Sequence, residues 1–177
     1  MEPIRSDRLT LREFVPADLD PLAEILADPE VMRYVGAGEA RGRTREESEK
    51  TLRTLIDEYE LWGHGLWAVT TPDENAGEPI GWCGLIRWEL DEQTEVEVAY
   101  LLGRPYWGRG YATEAAAAVR DHATRVLGRR RLVSLIYPGN TASVHVAEKI
   151  GMAYERDAEF YQQRLLLYSL TGEEYNP

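Results

Sequence analysis

Cysteine is nearly missing from this chain of 177 residues: Cys83 is the only one. A single thiol excludes an internal disulfide and argues against a cysteine-built metal cage. Histidine is scarce as well. His64, His122 and His145 stand far apart, without the short spacings of a metal site, so no metal is expected. Long apolar runs are absent; none approaches the roughly 18 to 20 residues of a membrane span. The first residues, with Glu2 and Asp7 among Arg5 and Arg8, lack the apolar stretch of a signal peptide. The expectation is a cytoplasmic protein with no membrane partner. Basic charge is in deficit: 20 Lys and Arg face 31 Asp and Glu, a formal net charge of −11. Nucleic acid is a poor partner for such a chain, because phosphate binding needs a basic face. An acidic protein attracts cations such as amines, although solubility alone also explains the charge. Repeats, low-complexity tracts and linkers are lacking too. At this length, with 44% hydrophobic and 29% charged residues, one domain with a full core, residues 1–177, is expected.

What is present is a clear alternation of strand and helix patterns. Ile4 to Phe14 alternates and reads as a first strand. Leu19, Leu22, Ala23 and Leu26 mark one face of a helix. Thr44 with Glu47 is a capping box, and Leu52, Leu55, Ile56 and Tyr59 follow on one face of a second helix ended by Gly63-His64-Gly65. Leu66 to Thr70 is a short strand and Pro72 to Pro79 a polar turn. Ile80 to Leu90 and Glu95 to Leu102 form a hairpin across Asp91-Glu92-Gln93. A helix from Tyr111 to Leu127 presents Ala112, Ala115, Ala116, Val119, Ala123 and Val126. Leu132 to Tyr137 is a strand, and Pro138-Gly139-Asn140 leads into a short helix stopped by Gly151. Two strands close the chain, Ala153 to Ala158 and Gln163 to Thr171. The order implies a mixed α/β protein, one sheet of about seven strands with four helices on its two sides.

The most informative stretch is Tyr106-Trp107-Gly108-Arg109-Gly110-Tyr111-Ala112-Thr113-Glu114-Ala115. Two glycines and an arginine lie between a strand and an alanine-rich helix. Glycines let the main chain approach an anion, and the helix start aims free N–H groups and its positive dipole end at it. A nucleotide-containing cofactor is therefore the leading idea. The common nucleotide motifs fail on detail. A dinucleotide fingerprint needs Gly-x-Gly-x-x-Gly after the first strand; here Thr113 replaces the third Gly and the motif comes late. A Walker loop would need Gly-Lys-Ser/Thr, which is absent.

With Ser6-Asp7-Arg8-Leu9-Thr10-Leu11-Arg12, Asp28-Pro29-Glu30-Val31, Glu97-Val98-Ala99-Tyr100, Trp107 to Ala115, Asn140-Thr141-Ala142-Ser143 and Glu148-Lys149-Ile150-Gly151-Met152 in this order, the chain resembles the GNAT superfamily of acyl-CoA-dependent N-acetyltransferases. It is most similar to the branch that includes the ribosomal-protein N-terminal acetyltransferases. One departure is Trp107, where the superfamily has Gln or Arg; the phosphate-binding groups are main-chain N–H, so no loss of cofactor binding follows. The resemblance implies a mostly antiparallel sheet splayed between its fourth and fifth strands, a feature that often involves a bulge. It also implies acetyl-CoA as co-substrate and an amine acceptor.

The resemblance assigns roles. Trp107, Gly108, Arg109, Gly110, Tyr111, Ala112 and Thr113 would hold the pyrophosphate, with Arg104 and Arg109 as sources of charge. Tyr100, Leu101 and Leu102 would offer main-chain groups to the pantetheine arm, and unpaired N–H groups near Leu101 and Leu102 would polarise the acetyl carbonyl. Asn140 would hold pantetheine or cap its helix. An alkylamine with a pKa of about 10 is protonated at neutral pH, so attack on a thioester needs a base. Glu97 matches the family's strand glutamate; Glu95 is the fallback. The leaving thiolate needs a proton donor. No tyrosine lies between Asn140 and Ile150, which leaves Ser143 as the substitute, against an ordinary role at the helix start. Arg129-Arg130-Arg131 is explained by compensation of the helix dipole, and Cys83 by packing in the core. Trp62, His64 and Tyr161 are candidates to line the acceptor pocket. The acceptor is left open between a protein N-terminal amine and a small cationic amine, and dimers are common among look-alikes. A different class, a non-catalytic acyl-CoA sensor or scaffold, fits the loop equally well.

Overall fold

The computed structural model describes residues 2–36, 41–72, 77–90, 93–160 and 162–171, without the side chains of Glu60 and Trp62. Among the described residues eight strands form one sheet: β1 (Ile4–Arg5), β2 (Thr10–Arg12), β3 (Leu66–Thr70), β4 (Pro79–Leu90), β5 (Gln93–Leu102), β6 (Arg131–Ile136), β7 (Ala153–Phe160) and β8 (Gln163–Thr171). Their spatial order is β1-β2-β3-β4-β5-β6-β8-β7. Every neighbouring pair is antiparallel except β5 and β6, which run parallel. The helices are α1 (Leu19–Ala27), α2 (Pro29–Met32), α3 (Arg45–Trp62), α4 (Tyr111–Arg125) and α5 (Thr141–Lys149). Among the described residues, no helix is long and apolar enough to cross a membrane.

The expected first strand is a hairpin. The run from Ile4 to Phe14 is not one strand, because Ser6 folds the chain back: its N–H donates to the Leu9 carbonyl at 3.0 Å, and its Oγ accepts from the Leu9 N–H at 3.2 Å. Ile4 then pairs with Leu11. The count therefore rises from seven strands to eight, and the expected fourth and fifth strands are β5 and β6. A fifth helix, α2, follows Asp28, whose side chain accepts from the Glu30 N–H at 3.0 Å, with Pro29 at the first helical position. Helix α4 stops at Arg125, short of Leu127. In the β4–β5 turn, Gln93 already pairs with Leu90, while Asp91 and Glu92 lie outside the described residues.

The two faces of the sheet bury different helices, because side chains alternate along each strand. On one face Leu22 and Leu26 of α1 and Leu52 and Leu55 of α3 pack on Leu66, Trp82 and Leu101. The capping box of α3 is present as read: Thr44 Oγ1 accepts from the Glu47 N–H at 3.2 Å, and Glu47 accepts from the Thr44 N–H at 2.8 Å. On the other face Ala115, Ala116, Val119 and Ala123 of α4 and Ala147 of α5 pack on Leu85, Val98, Leu102 and Leu132. Small side chains let α4 lie close on the sheet, so its N-terminus sits at the C-terminal end of β5.

Candidate functional site

Strands β5 and β6 share a single bridge, Glu97 with Val133. Beyond it no bridge joins Val98–Leu102 to residues 134–136, and side chains take over. Ser134 Oγ donates to the Val98 carbonyl at 3.0 Å, and the Leu135 N–H donates to Glu97 Oε1 at 3.1 Å. The sheet forks here. The register of β4 against β5 is unbroken from Gly81–Leu102 to Leu90–Gln93, so the fork needs no bulge between these strands, contrary to expectation. The same register decides which groups face the gap. The Gly103 N–H donates to the Ile80 carbonyl at 2.9 Å. Alternation then turns the main chain of Leu101 toward β4, and that of Val98, Tyr100 and Leu102 toward the gap. Leu101, expected in the cleft, offers its main chain to β4 and its side chain to the α1–α3 core.

Glu97 stands at the fork. Its second oxygen accepts from the Trp88 indole N–H at 2.5 Å, and Trp88 packs edge-on against Phe160 with ring centroids 4.7 Å apart. No cation approaches this carboxyl among the described residues. Burial pushes its pKa from 4.5 up to about 7, against the pull of the Trp88 and Leu135 hydrogen bonds. By strand alternation Glu97 faces α1 and α3, while Tyr100 faces α4 and α5. The Tyr100 hydroxyl donates to the Ser143 carbonyl at 2.9 Å, and burial raises its pKa. Asn140 caps α5, its Oδ1 accepting from the Ser143 N–H at 3.2 Å. Ser143 Oγ makes no hydrogen bond among the described residues.

The glycine loop meets the start of α4. Gly108 has φ 71° and Gly110 φ 81°, conformations that disfavour side chains. A Cβ at Gly108 would meet nothing within 4 Å, so that face of the loop is open. Gly110 is the N-cap of α4 and supplies no side-chain cap, which leaves the first helical N–H groups to another acceptor. The arrangement suits a pyrophosphate. Trp107 donates its indole N–H to the Leu102 carbonyl at 2.6 Å and ties the loop to the end of β5.

The sequence model of the acetyltransferase (GNAT) domain matches residues 8–153. The chain belongs to the GNAT acetyltransferase family. Among proteins similar to it, YkkB of Bacillus subtilis is 34% identical over 92% of both chains. The solved structure of an acetyltransferase from Agrobacterium tumefaciens is 30% identical, with a TM-score of 0.79 over 96% of this chain and 94% of that one. RimL, a ribosomal L7/L12 α-N-protein acetyltransferase solved with coenzyme A, shares the fold at a TM-score of 0.80 and 17% identity, over 98% of this chain and 100% of that one.

Other candidates of the acetyltransferase fall elsewhere. Both oxygens of Glu95 accept from Arg131 Nε at 3.0 Å, and Arg131 also pairs with Glu155 at 2.9 Å. An ion pair so placed holds strands together; it does not leave a base beside the fork. Arg104 pairs with Asp28, 2.5 Å away. Of the three consecutive arginines, Arg131 is thus a strand clamp, and Arg129 lies 3.4 Å from His64 Nε2. Cys83 is buried in the core, where desolvation raises its thiol pKa. Tyr161 lies outside the described residues, as does the Trp62 side chain. Among the described residues no group of His, Cys, Asp and Glu is arranged to hold a metal.

Sequence reading missed three features. Trp88, which fixes Glu97, is a diagonal cross-strand neighbour visible only once register is known. Tyr34 and Tyr137 latch the end of α2 to the turn before α5: Tyr34 donates to the Gly139 carbonyl at 3.1 Å and Tyr137 to that of Gly36 at 2.8 Å. Arg8, to which the sequence assigns no role at the site, reaches the glycine loop, where its Nη1 donates to the Arg109 carbonyl at 3.0 Å.

Proposed function

We propose that this acetyltransferase moves an acetyl group from acetyl-CoA directly to a primary amine presented on the α1–α3 face of the sheet. The observation that carries this reading is the fork at Glu97: one bridge, then a gap faced by the main chain of Tyr100 and Leu102, with a buried carboxyl at its apex that has no counter-charge among the described residues. When bound, acetyl-CoA would supply the thioester. Gly108 to Thr113 would hold its pyrophosphate through main-chain N–H groups, with Arg109 nearby. Tyr100 and Leu102 would receive the pantetheine arm, and Asn140 would order the α5 end of the gap. Glu97 would take the proton released as the amine nitrogen bonds the acetyl carbon, directly or through water. A base with a pKa of about 7 is well matched to this work at neutral pH. On the opposite face Ser143 Oγ would give a hydrogen bond or proton to the departing sulfur, with Tyr100 pinning α5 in place.

The net charge of −11 supports a cationic acceptor. Both acceptor classes carry such an amine, and the acceptor of RimL, by its name, is a protein N-terminus. The first experiment is a thermal shift with acetyl-CoA, with NADH as control. A ligand at 100 times its Kd adds about 2.7 kcal/mol, a rise of roughly 5 to 10 °C for a domain of this size. Acetyl-CoA alone should raise the melting temperature. Release of free thiol with polyamines, aminoglycosides or short peptides then separates the acceptor classes. No shift at millimolar acetyl-CoA would overturn the reading.

A further inference from the structure

The β1–β2 turn is wired to the start of α4 through one carboxylate. Glu114 Oε1 accepts from Ser6 Oγ at 2.7 Å and from the Arg8 N–H at 2.8 Å; its Oε2 accepts from Arg8 Nε at 2.7 Å. Arg8 Nη2 is 2.6 Å from the same Oε2. The fork of this guanidinium extends further: Nη1 holds the Arg109 carbonyl at 3.0 Å. The guanidinium carbon lies 4.7 Å from the centre of the Tyr111 ring, and that of Arg109 lies 4.8 Å from it. The Glu114 carboxyl is held below its ordinary range: burial works the other way, but the bonds from Ser6 and Arg8 outweigh it.

Two consequences follow for the glycine loop. In a trans peptide the C=O and the next N–H point in opposite directions. Anchoring the Arg109 carbonyl toward the β1–β2 turn therefore turns the Gly110 N–H to the other side of the loop. The second concerns charge. A carboxylate in the first turn of α4 favours the helix, yet it opposes any dianionic group brought to the same N-terminus. Arg8 cancels that charge while leaving the N–H groups free. Lysine, a point charge without a fork, could not hold the carboxylate and the carbonyl together.

Building on the proposed acetyl-CoA site, we infer that Arg8 is a positioning residue for the pyrophosphate: it orients the Arg109–Gly110 peptide and neutralises Glu114 beside the anion. Calorimetric titration of coenzyme A into wild type, Arg8→Met, Arg8→Lys, Glu114→Gln and the Arg8→Met/Glu114→Gln pair tests this. Arg8→Met should bind about tenfold more weakly, or about 1.4 kcal/mol, and lose as much with dephospho-CoA, which keeps the pyrophosphate. Glu114→Gln should bind as tightly as wild type or more so. The pair should recover part of the loss, because the repulsion is gone and only the carbonyl anchor is missing. A merely structural role predicts no recovery. Affinity of Arg8→Met within twofold of wild type overturns the inference, as does a pair no better than Arg8→Met. Should Arg8→Met not fold, Arg8→Lys carries the test: binding about threefold to fivefold weaker is expected, and binding equal to wild type overturns it. Failure of wild type to bind coenzyme A would instead remove the proposed site itself.

Discussion

Glu95 and Glu97 are two residues apart on one face of β5, and they live in opposite environments. At Glu95 the sheet is zipped: Arg131 from β6 bonds both oxygens and also clamps Glu155 of β7. At Glu97 the sheet forks, and the carboxyl has an indole N–H and one main-chain N–H but no cation among the described residues. The first environment sets a guanidinium against the carboxyl. The second buries the carboxyl without a counter-charge, which disfavours its ionised form. A strand can thus carry an ion-paired carboxylate and a buried carboxyl without a counter-charge side by side, sorted by what β6 brings opposite each.

Substituting the two in turn is the strongest way to break this contrast. Glu97→Gln should lower kcat by about a hundredfold or more, within the range of a lost general base, while coenzyme A binding stays close to that of wild type. Steady-state rates with the best amine of the screen measure it; a loss under threefold would return Glu97 to a purely structural role. The same contrast shows in stability against pH. A carboxyl whose folded pKa is about 7 against 4.5 unfolded holds its proton better in the native state. Its contribution is full below the unfolded value and is lost as pH rises through the folded one, roughly 3 kcal/mol in all. Melting curves from pH 5 to 8 should therefore favour Glu97→Gln over wild type increasingly as pH rises. Glu95→Gln is the smaller perturbation. It weakens a mostly buried ion pair at a cost of about 1 to 3 kcal/mol, a melting-temperature drop of several degrees, with kcat within twofold of wild type.

Part of this contrast was legible in the sequence. Glycines at 108 and 110 before an alanine-rich helix announce an anion cradle, because few other residues accept those φ values. The Thr44–Glu47 box announces the start of α3, because both partners are local. Glu97 stands out as a carboxylate in an apolar strand, but so does Glu95, and only Arg131, 36 residues away, separates them. The β1–β2 turn escaped because no glycine or proline breaks the run from Ile4 to Leu11, although Leu9 and Leu11 are out of phase with Ile4. Arg8 and Glu114 are 106 residues apart, and nothing local in either announces the other. Periodicity and turn chemistry encode elements; cross-strand register and long-range pairing decide which of several similar side chains is left without a counter-charge.

Trp88 offers the finest adjustment of the contrast. Its indole N–H bonds Glu97 and favours the charged carboxylate, opposing the larger effect of burial. Trp88→Phe keeps an aromatic ring against Phe160 but deletes that donor. With burial less opposed, the Glu97 pKa should rise above about 7. In the proposed role the Glu97 base acts when ionised, so the acidic limb of the kcat/KM profile should move to higher pH in Trp88→Phe. The plateau rate on the alkaline side should change little, since Leu135 still holds the carboxyl in the fork. Rates measured from pH 5.5 to 9.5 distinguish the cases. A limb that stays in place, with the plateau lowered instead, would mean that Trp88 positions the carboxyl and does not tune it.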